Sequence, residues 1–250
     1  MKSSPATFQR LINDVVAGLD GCEAYIDDII IYSDTWKDQL RIIRSFFERL
    51  TEAKLTVNLA KSEFARAHVT YMGHVVEQGQ VKPVDAKVKV ISDFPRPESR
   101  KELMRFLAMT GYYRKFCQNF FTVAESLTQL LSKKASFLWN DKCEEAFEEL
   151  KAISNSALVL SAPNFYHQFK LAFDAGDVAA GAVLLQEDKD GVDHPICYFS
   201  KKFNTNQRND STVDKECLTL VLALQHLEVY VHRAPSLFSV ITILLYFCTN

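Results

Sequence analysis

The stretch Tyr25-Ile26-Asp27-Asp28-Ile29-Ile30-Ile31-Tyr32-Ser33 decides how this chain is read. The runs Glu23–Ile26 and Ile29–Tyr32 flank two adjacent aspartates, which predicts a tight β-hairpin hinged at Asp27-Asp28. Two carboxylates side by side at an apolar tip repel each other unless a cation lies between them. Phosphoryl-transfer enzymes use such carboxylates to hold a metal pair against the attacking and leaving oxygens. The plain alternative is that aspartate makes a good turn. Taken alone, the motif leaves both readings open.

Working outward, Thr35-x-x-Asp38 opens an amphipathic helix with Leu40, Ile43, Phe47 and Leu50 expected on its buried face. Short strands are expected at Leu55–Leu59 and Val69–Met72, then a second hairpin from His74 to Val81 turning near Gly79. Pro83, Pro95 and Pro97 punctuate a change to helical patterns. Ser99-x-x-Glu102 reads as a capping box ahead of Leu103, Phe106 and Leu107, and helices recur at Val123–Leu131 and Cys143–Leu150. After Pro163 the period returns to two, with Phe169, Leu171 and Phe173 alternating up to Asp174. A turn at Lys189-Asp190-Gly191, a strand at Ile196–Phe199 and a helix from Thr212 to His226 follow. The expected organisation is α+β and α/β multidomain, divided at 1–82, 83–163 and 164–250.

Composition narrows the class. With 250 residues, 48% hydrophobic and 24% charged, the chain has the make-up of ordinary globular domains. A net charge of −2 means that any phosphate-binding surface must be local. The six cysteines form no C-x-x-C pair and the six histidines show no ligand spacing, which argues against a zinc enzyme. With no signal peptide in view, reduced thiols and a location in cytoplasm or nucleus are expected. The apolar tail Leu237–Cys248 has twelve residues, short of the roughly 17 that span a bilayer, so no membrane partner is expected.

Several blocks, in order, resemble the palm and the following region of gypsy-class retrotransposon reverse transcriptases. They are Ser4-Pro5-Ala6-Thr7-Phe8-Gln9-Arg10, the Tyr25–Ser33 stretch, Tyr71-Met72-Gly73-His74, Phe94-Pro95-Arg96-Pro97 and Gly111-Tyr112-Tyr113-Arg114-Lys115-Phe116. The resemblance runs to about Phe238. It implies that Asp27 and Asp28 are polymerase metal ligands and that Tyr25 flanks the primer end. Ser4 to Gln9 would touch template and incoming nucleotide, and Met72, Gly73 and His74 would form the primer grip. Each has a plainer reading too: Met72 as core, Gly73 as a bulge, Pro5-Ala6 as any helix start. The family's third carboxylate comes from a strand upstream of the Ser4-Pro5-Ala6 block, and this chain begins at Met1, so an incomplete site is expected.

Arg96, Arg100, Lys101, Arg105, Arg114 and Lys115 are interleaved with Tyr112, Tyr113 and Phe116. The pattern suits a sugar-phosphate backbone, with a solvated helix face as the alternative. By the resemblance this segment is the helical thumb and connection. Asp174-Ala175-Gly176-Asp177, Gly181-Ala182-Val183-Leu184 and Ser211-Thr212-Val213-Asp214-Lys215-Glu216-Cys217-Leu218 resemble the same family's ribonuclease H domain. Asp174 and Glu216 match its first two metal-binding carboxylates; read alone, they cap a turn and line a solvated helix face. Phe238-Ser239-Val240-Ile241-Thr242 fits the next strand, but Ile243 stands where the family has aspartate, so a partial ribonuclease H-like fold is expected.

The resemblance implies Mg²⁺ or Mn²⁺ as cofactor, held weakly, and primer–template RNA/DNA hybrid or DNA as partner. Three readings follow: an active polymerase and hybrid nuclease, a non-catalytic nucleic-acid-binding remnant, and a structural partner that forms a dimer with a complete reverse transcriptase. The remnant ranks first, because motifs define a family whereas a complete site does chemistry.

Overall fold

A computed structural model describes residues 4–77, 79–132, 136–155, 159–233 and 238–242. The chain separates into two compact units, residues 1–74 and 75–250.

In the first unit, helices α1 (Ser4–Val16) and α2 (Trp36–Glu52) cover the hairpin of β1 (Cys22–Tyr25) and β2 (Asp28–Ile31), and β3 (His68–Tyr71) follows a 3₁₀ turn at Leu59–Lys61. Ile12, Val15, Cys22, Ile42, Phe46 and Leu50 form the core. Gly21 is required by a close approach: its φ is +83°, and a Cβ there would lie 2.4 Å from the Tyr32 carbonyl oxygen. The Tyr32 N–H bonds back to the Gly21 carbonyl at 2.8 Å, closing the base of the hairpin.

Three expectations change here. Tyr25 pairs with Asp28, so the hairpin loop is Ile26-Asp27, and Asp28 is already the first residue of β2. Thr35 caps α2 as expected, its hydroxyl accepting the Asp38 N–H at 3.1 Å. The buried stripe, however, is Ile42, Phe46 and Leu50, while Leu40 is half exposed and Ile43 and Phe47 line an open groove. Residues 55–59 alternate like a strand, yet among the described residues they pair with none and end in the 3₁₀ turn.

The second unit starts in β4 (His74–Glu77), whose first residue closes the first unit, and β5 (Gln80–Pro83). Helices α3 (Asp85–Ser92), α4 (Arg100–Tyr112), α5 (Phe120–Val123), α6 (Glu125–Leu130) and α7 (Asp141–Asn155) follow, with a 3₁₀ turn at Arg114–Phe116. Then β6 (Leu160–Ser161) pairs antiparallel with β5. Leu103, Phe106 and Phe147 centre the helical core, the last two rings 4.6 Å apart. Ser99 caps α4, but the Glu102 carboxylate accepts the Glu98 N–H instead of completing a box on Ser99.

The C-terminal part is a sheet ordered β10-β7-β8-β9, built from β7 (Phe169–Ala175), β8 (Ala179–Glu187), β9 (Asp193–Lys202) and β10 (Phe238–Thr242). Strands β7, β8 and β9 are antiparallel, and β10 lies parallel to β7. Between β9 and β10 come α8 (Thr205–Arg208), α9 (Thr212–His226) and α10 (Glu228–Arg233). Strand β9 serves two cores, because successive side chains point to opposite faces: Tyr198 packs on the helical cluster and Phe199 in the sheet's own. Polar contacts fix this junction, with the Phe121 N–H on Ser200 Oγ at 3.1 Å and Lys202 Nζ on Thr128 Oγ1 at 2.7 Å. The expected tail beyond Thr242, Ile243 included, lies outside the described residues.

Candidate metal and nucleic-acid sites

The paired aspartates sit on the exposed end of the β1–β2 hairpin. Ile26, in front of them, has φ +51°, a left-handed conformation that suits a β-branched residue badly. Its N–H donates to Gln9 Oε1 at 2.6 Å, and Gln9 Nε2 donates to the Ala24 carbonyl at 3.1 Å and to Asn13 Oδ1 at 2.7 Å. Gln9 thus reaches from the middle of α1 to β1 and to the first residue of the turn. Tyr71, on β3, feels one of the pair: burial first, then the charges of Asp28 and Glu23, push its phenol above the usual range. Sequence patterning assigned Tyr71 no role beyond membership of a motif.

Of the other expected residues in this unit, Ser4 opens α1 and Tyr25 ends β1 with an exposed ring. Met72 and Gly73 form a turn with φ +48° and +74°, and His74 begins β4.

The basic stretch is divided among different tasks. Arg96 pairs with Glu144 at 3.5 Å and lies over the Trp139 ring. Arg100 donates from Nε to the Leu130 carbonyl at 3.1 Å, tying α4 to α6. Lys115 is half-buried, and the loss of solvent pulls its ammonium below the usual lysine range. Lys101, Arg105 and Arg114 face solvent, the first two one turn apart on α4 beside exposed Met104 and Tyr112.

In the sheet, Asp174 stands near the end of β7 opposite Gly181, and Glu216 lies in the second turn of α9, which packs on β7 and β8. A Cβ on Gly181 would come within 2.7 Å of Asn119 Oδ1, the end of an exposed side chain that would have to turn aside. Lys215, buried beside Glu216, reaches Asp177 of the β7–β8 loop at 3.7 Å. Among the described residues no three His, Cys, Asp or Glu side chains converge as a metal-holding group.

Known proteins share sequence and fold with this chain. The family model for the reverse transcriptase (RNA-dependent DNA polymerase) matches residues 1–76, and that for the RNase H-like domain found in reverse transcriptase matches residues 139–240. The Pol polyprotein of transposon opus from Drosophila melanogaster is 38% identical over 95% of the chain. The chain is reverse transcriptase and ribonuclease H-like sequence of the retrotransposon Pol type.

This Pol-type chain spans 25% of the opus polyprotein. The transposon Tf2-3 polyprotein of Schizosaccharomyces pombe is 31% identical over 97% of the chain, which spans 18% of it. In fold the Pol-type chain resembles the foamy viral protease-reverse transcriptase. The form solved in complex with RNA/DNA hybrid gives a TM-score of 0.80 at 24% identity, covering 96% of this chain and 32% of that one. The form lacking RH, solved with double-stranded DNA, gives 0.82 at 24% identity, covering 96% and 42%. Gln9, Asp27 and Asp28 fall in the first matched segment, Asp174 and Glu216 in the second, and the basic stretch between them.

Proposed function

We propose that this Pol-type chain is of the gypsy class and binds primer–template duplex without turning it over. In this reading residues 1–82 are palm, 83–163 helical thumb and connection, and 164–250 a partial ribonuclease H-like domain. Asp27-Asp28 and Asp174 with Glu216 are the places for Mg²⁺ or Mn²⁺. Hard carboxylate oxygens suit either ion. Such an ion, when bound, supplies charge stabilisation for the oxygens of phosphoryl transfer. The chain's own residues do the rest: Gln9 fixes the turn before the aspartates, and Lys101, Arg105 and Arg114 offer charge to phosphates. The likeness in fold to a reverse transcriptase solved on DNA and on hybrid supports duplex as the ligand.

The observation that carries the reading is that no three His, Cys, Asp or Glu side chains converge among the described residues. Two ligands hold a hydrated Mg²⁺ loosely and do not assemble a two-metal clamp. Primer extension on a primed RNA template with Mg²⁺ or Mn²⁺ tests this. The expected yield equals that of an Asp27→Asn control. Extension that disappears in the control would make the chain an active polymerase.

A further inference from the structure

In the two-residue loop Ile26-Asp27, closed by Tyr25 and Asp28, the ladder offers the Ile26 N–H no acceptor. That N–H belongs to a β-branched residue at φ +51°, a conformation that persists only where surrounding groups impose it. The Gln9 side chain supplies the acceptor at 2.6 Å, from 17 positions earlier in the chain. Its amide orientation is fixed by chemistry, because the Ile26 N–H requires the oxygen and the Ala24 carbonyl requires the nitrogen. Both Nε2 hydrogens are taken, by Ala24 and Asn13. Gln9 therefore acts through the turn rather than by reaching out to a ligand with its donor.

We infer that Gln9 is a positioning residue that locks the Ile26-Asp27 turn in its left-handed form and so sets the direction in which Asp27 and Asp28 present their carboxylates. The inference rests on the proposed metal-holding role of those aspartates. Helix α1 is the rigid support, anchored by buried Ile12 and Val15 against the same core that holds α2. The clamp thereby transmits the placement of α1 directly to the acidic turn.

Two readings on the full ¹⁵N-labelled chain test this: amide exchange at Ile26, and Mn²⁺ titration followed as paramagnetic broadening at Asp27 and Asp28. Gln9→Met keeps the shape and removes every hydrogen bond. It should raise Ile26 exchange about fivefold to tenfold, the worth of one net hydrogen bond, and shift the Mn²⁺ midpoint to higher concentration. Gln9→Glu keeps the acceptor and should leave Ile26 protected. Asn13→Ala removes only the exposed bond to Nε2 and should change neither reading.

Equal Ile26 exchange in wild type and Gln9→Met would overturn the inference, as would an opened turn with an unmoved Mn²⁺ midpoint. If Gln9→Met loses protection throughout α2, Gln9→Glu decides: protected Ile26 supports the clamp and free exchange refutes it. If the wild type shows no broadening at all, the metal reading falls, and the exchange data alone decide whether Gln9 holds the turn.

Discussion

Burial pushes the Cys22 thiol up to about 11 and the Cys117 and Cys197 thiols up to about 12. Cys217 is exposed. Alkylation at pH 8 should therefore modify Cys217 quickly and spare buried Cys22, Cys117, Cys143 and Cys197 until the chain unfolds; rapid labelling of Cys117 in the native chain would contradict this burial. The same shifts give stability a pH dependence of definite sign. Below the ordinary thiol value of 9.0 both states hold their protons and the full stability is present. As pH rises through that value toward 11 or 12, the unfolded chain releases protons that the folded one keeps, so stability falls. A urea midpoint that stays level from pH 8 to 10.5 would refute it. At the same scale, Asp27 and Asp28 were legible as a pair because acidic residues between apolar runs stand out. The turn itself was displaced by one residue, because turn propensity favours aspartate over isoleucine at φ +51° and only the Gln9 bond makes the exception stable. Gln9 was legible as a motif member, but its bond to Ile26 spans two elements and leaves no periodic trace.

Helix α2 shows what patterning can and cannot decide. Its sequence carries two apolar rows at i, i+4 spacing, Ile42-Phe46-Leu50 and Ile43-Phe47, with Leu40 on the fringe, and either row satisfies a helical period. Packing against α1 and the hairpin selects the first. Phe46→Ala should cost about 3–5 kcal/mol, whereas Leu40→Ala, half exposed, should stay within about 1 kcal/mol. Chemical denaturation of the two variants checks this, and a larger loss for Leu40→Ala would restore the face expected from the sequence. The strand expected at Leu55–Leu59 failed for the opposite reason: alternation was present, but a strand needs a neighbour for its backbone groups. Where a cap opens a continuous apolar run the bounds were legible, as in α9, whose Thr212–His226 bounds were those expected and whose Ser211 hydroxyl accepts the Asp214 N–H, although its buried row proves to be Lys215, Thr219 and Ala223.

Across the whole molecule, charge is distributed so that only part of the basic stretch is open to a ligand. With Arg96 paired to Glu144 and Arg100 bonded to Leu130, exposed Lys101, Arg105 and Arg114 remain. Three phosphate contacts imply a slope of about −2.7 in log affinity against log salt, hence a loss of roughly 40-fold between 50 and 200 mM. Lys101→Glu with Arg105→Glu should flatten the slope, measured by fluorescence anisotropy with a primer–template duplex; an unchanged slope would move the contact elsewhere. The passage from strands to helices after Pro83 and back to strands after Pro163 was readable because periodicity changes there. The sharing of β9 between two cores was not, since both of its faces are apolar. The placing of β10 beside β7 also carries a consequence for the order of assembly. Strands β7, β8 and β9 meet through short hairpins and can form as soon as they leave the ribosome. Phe238 must instead find Phe169, 69 positions earlier (238 − 169), across α8, α9 and α10. Loop-closure entropy and high contact order make that pairing the late step. During synthesis the outer edge of β7 therefore stays open until β10 emerges, and a chaperone that shields strand edges acts in that interval.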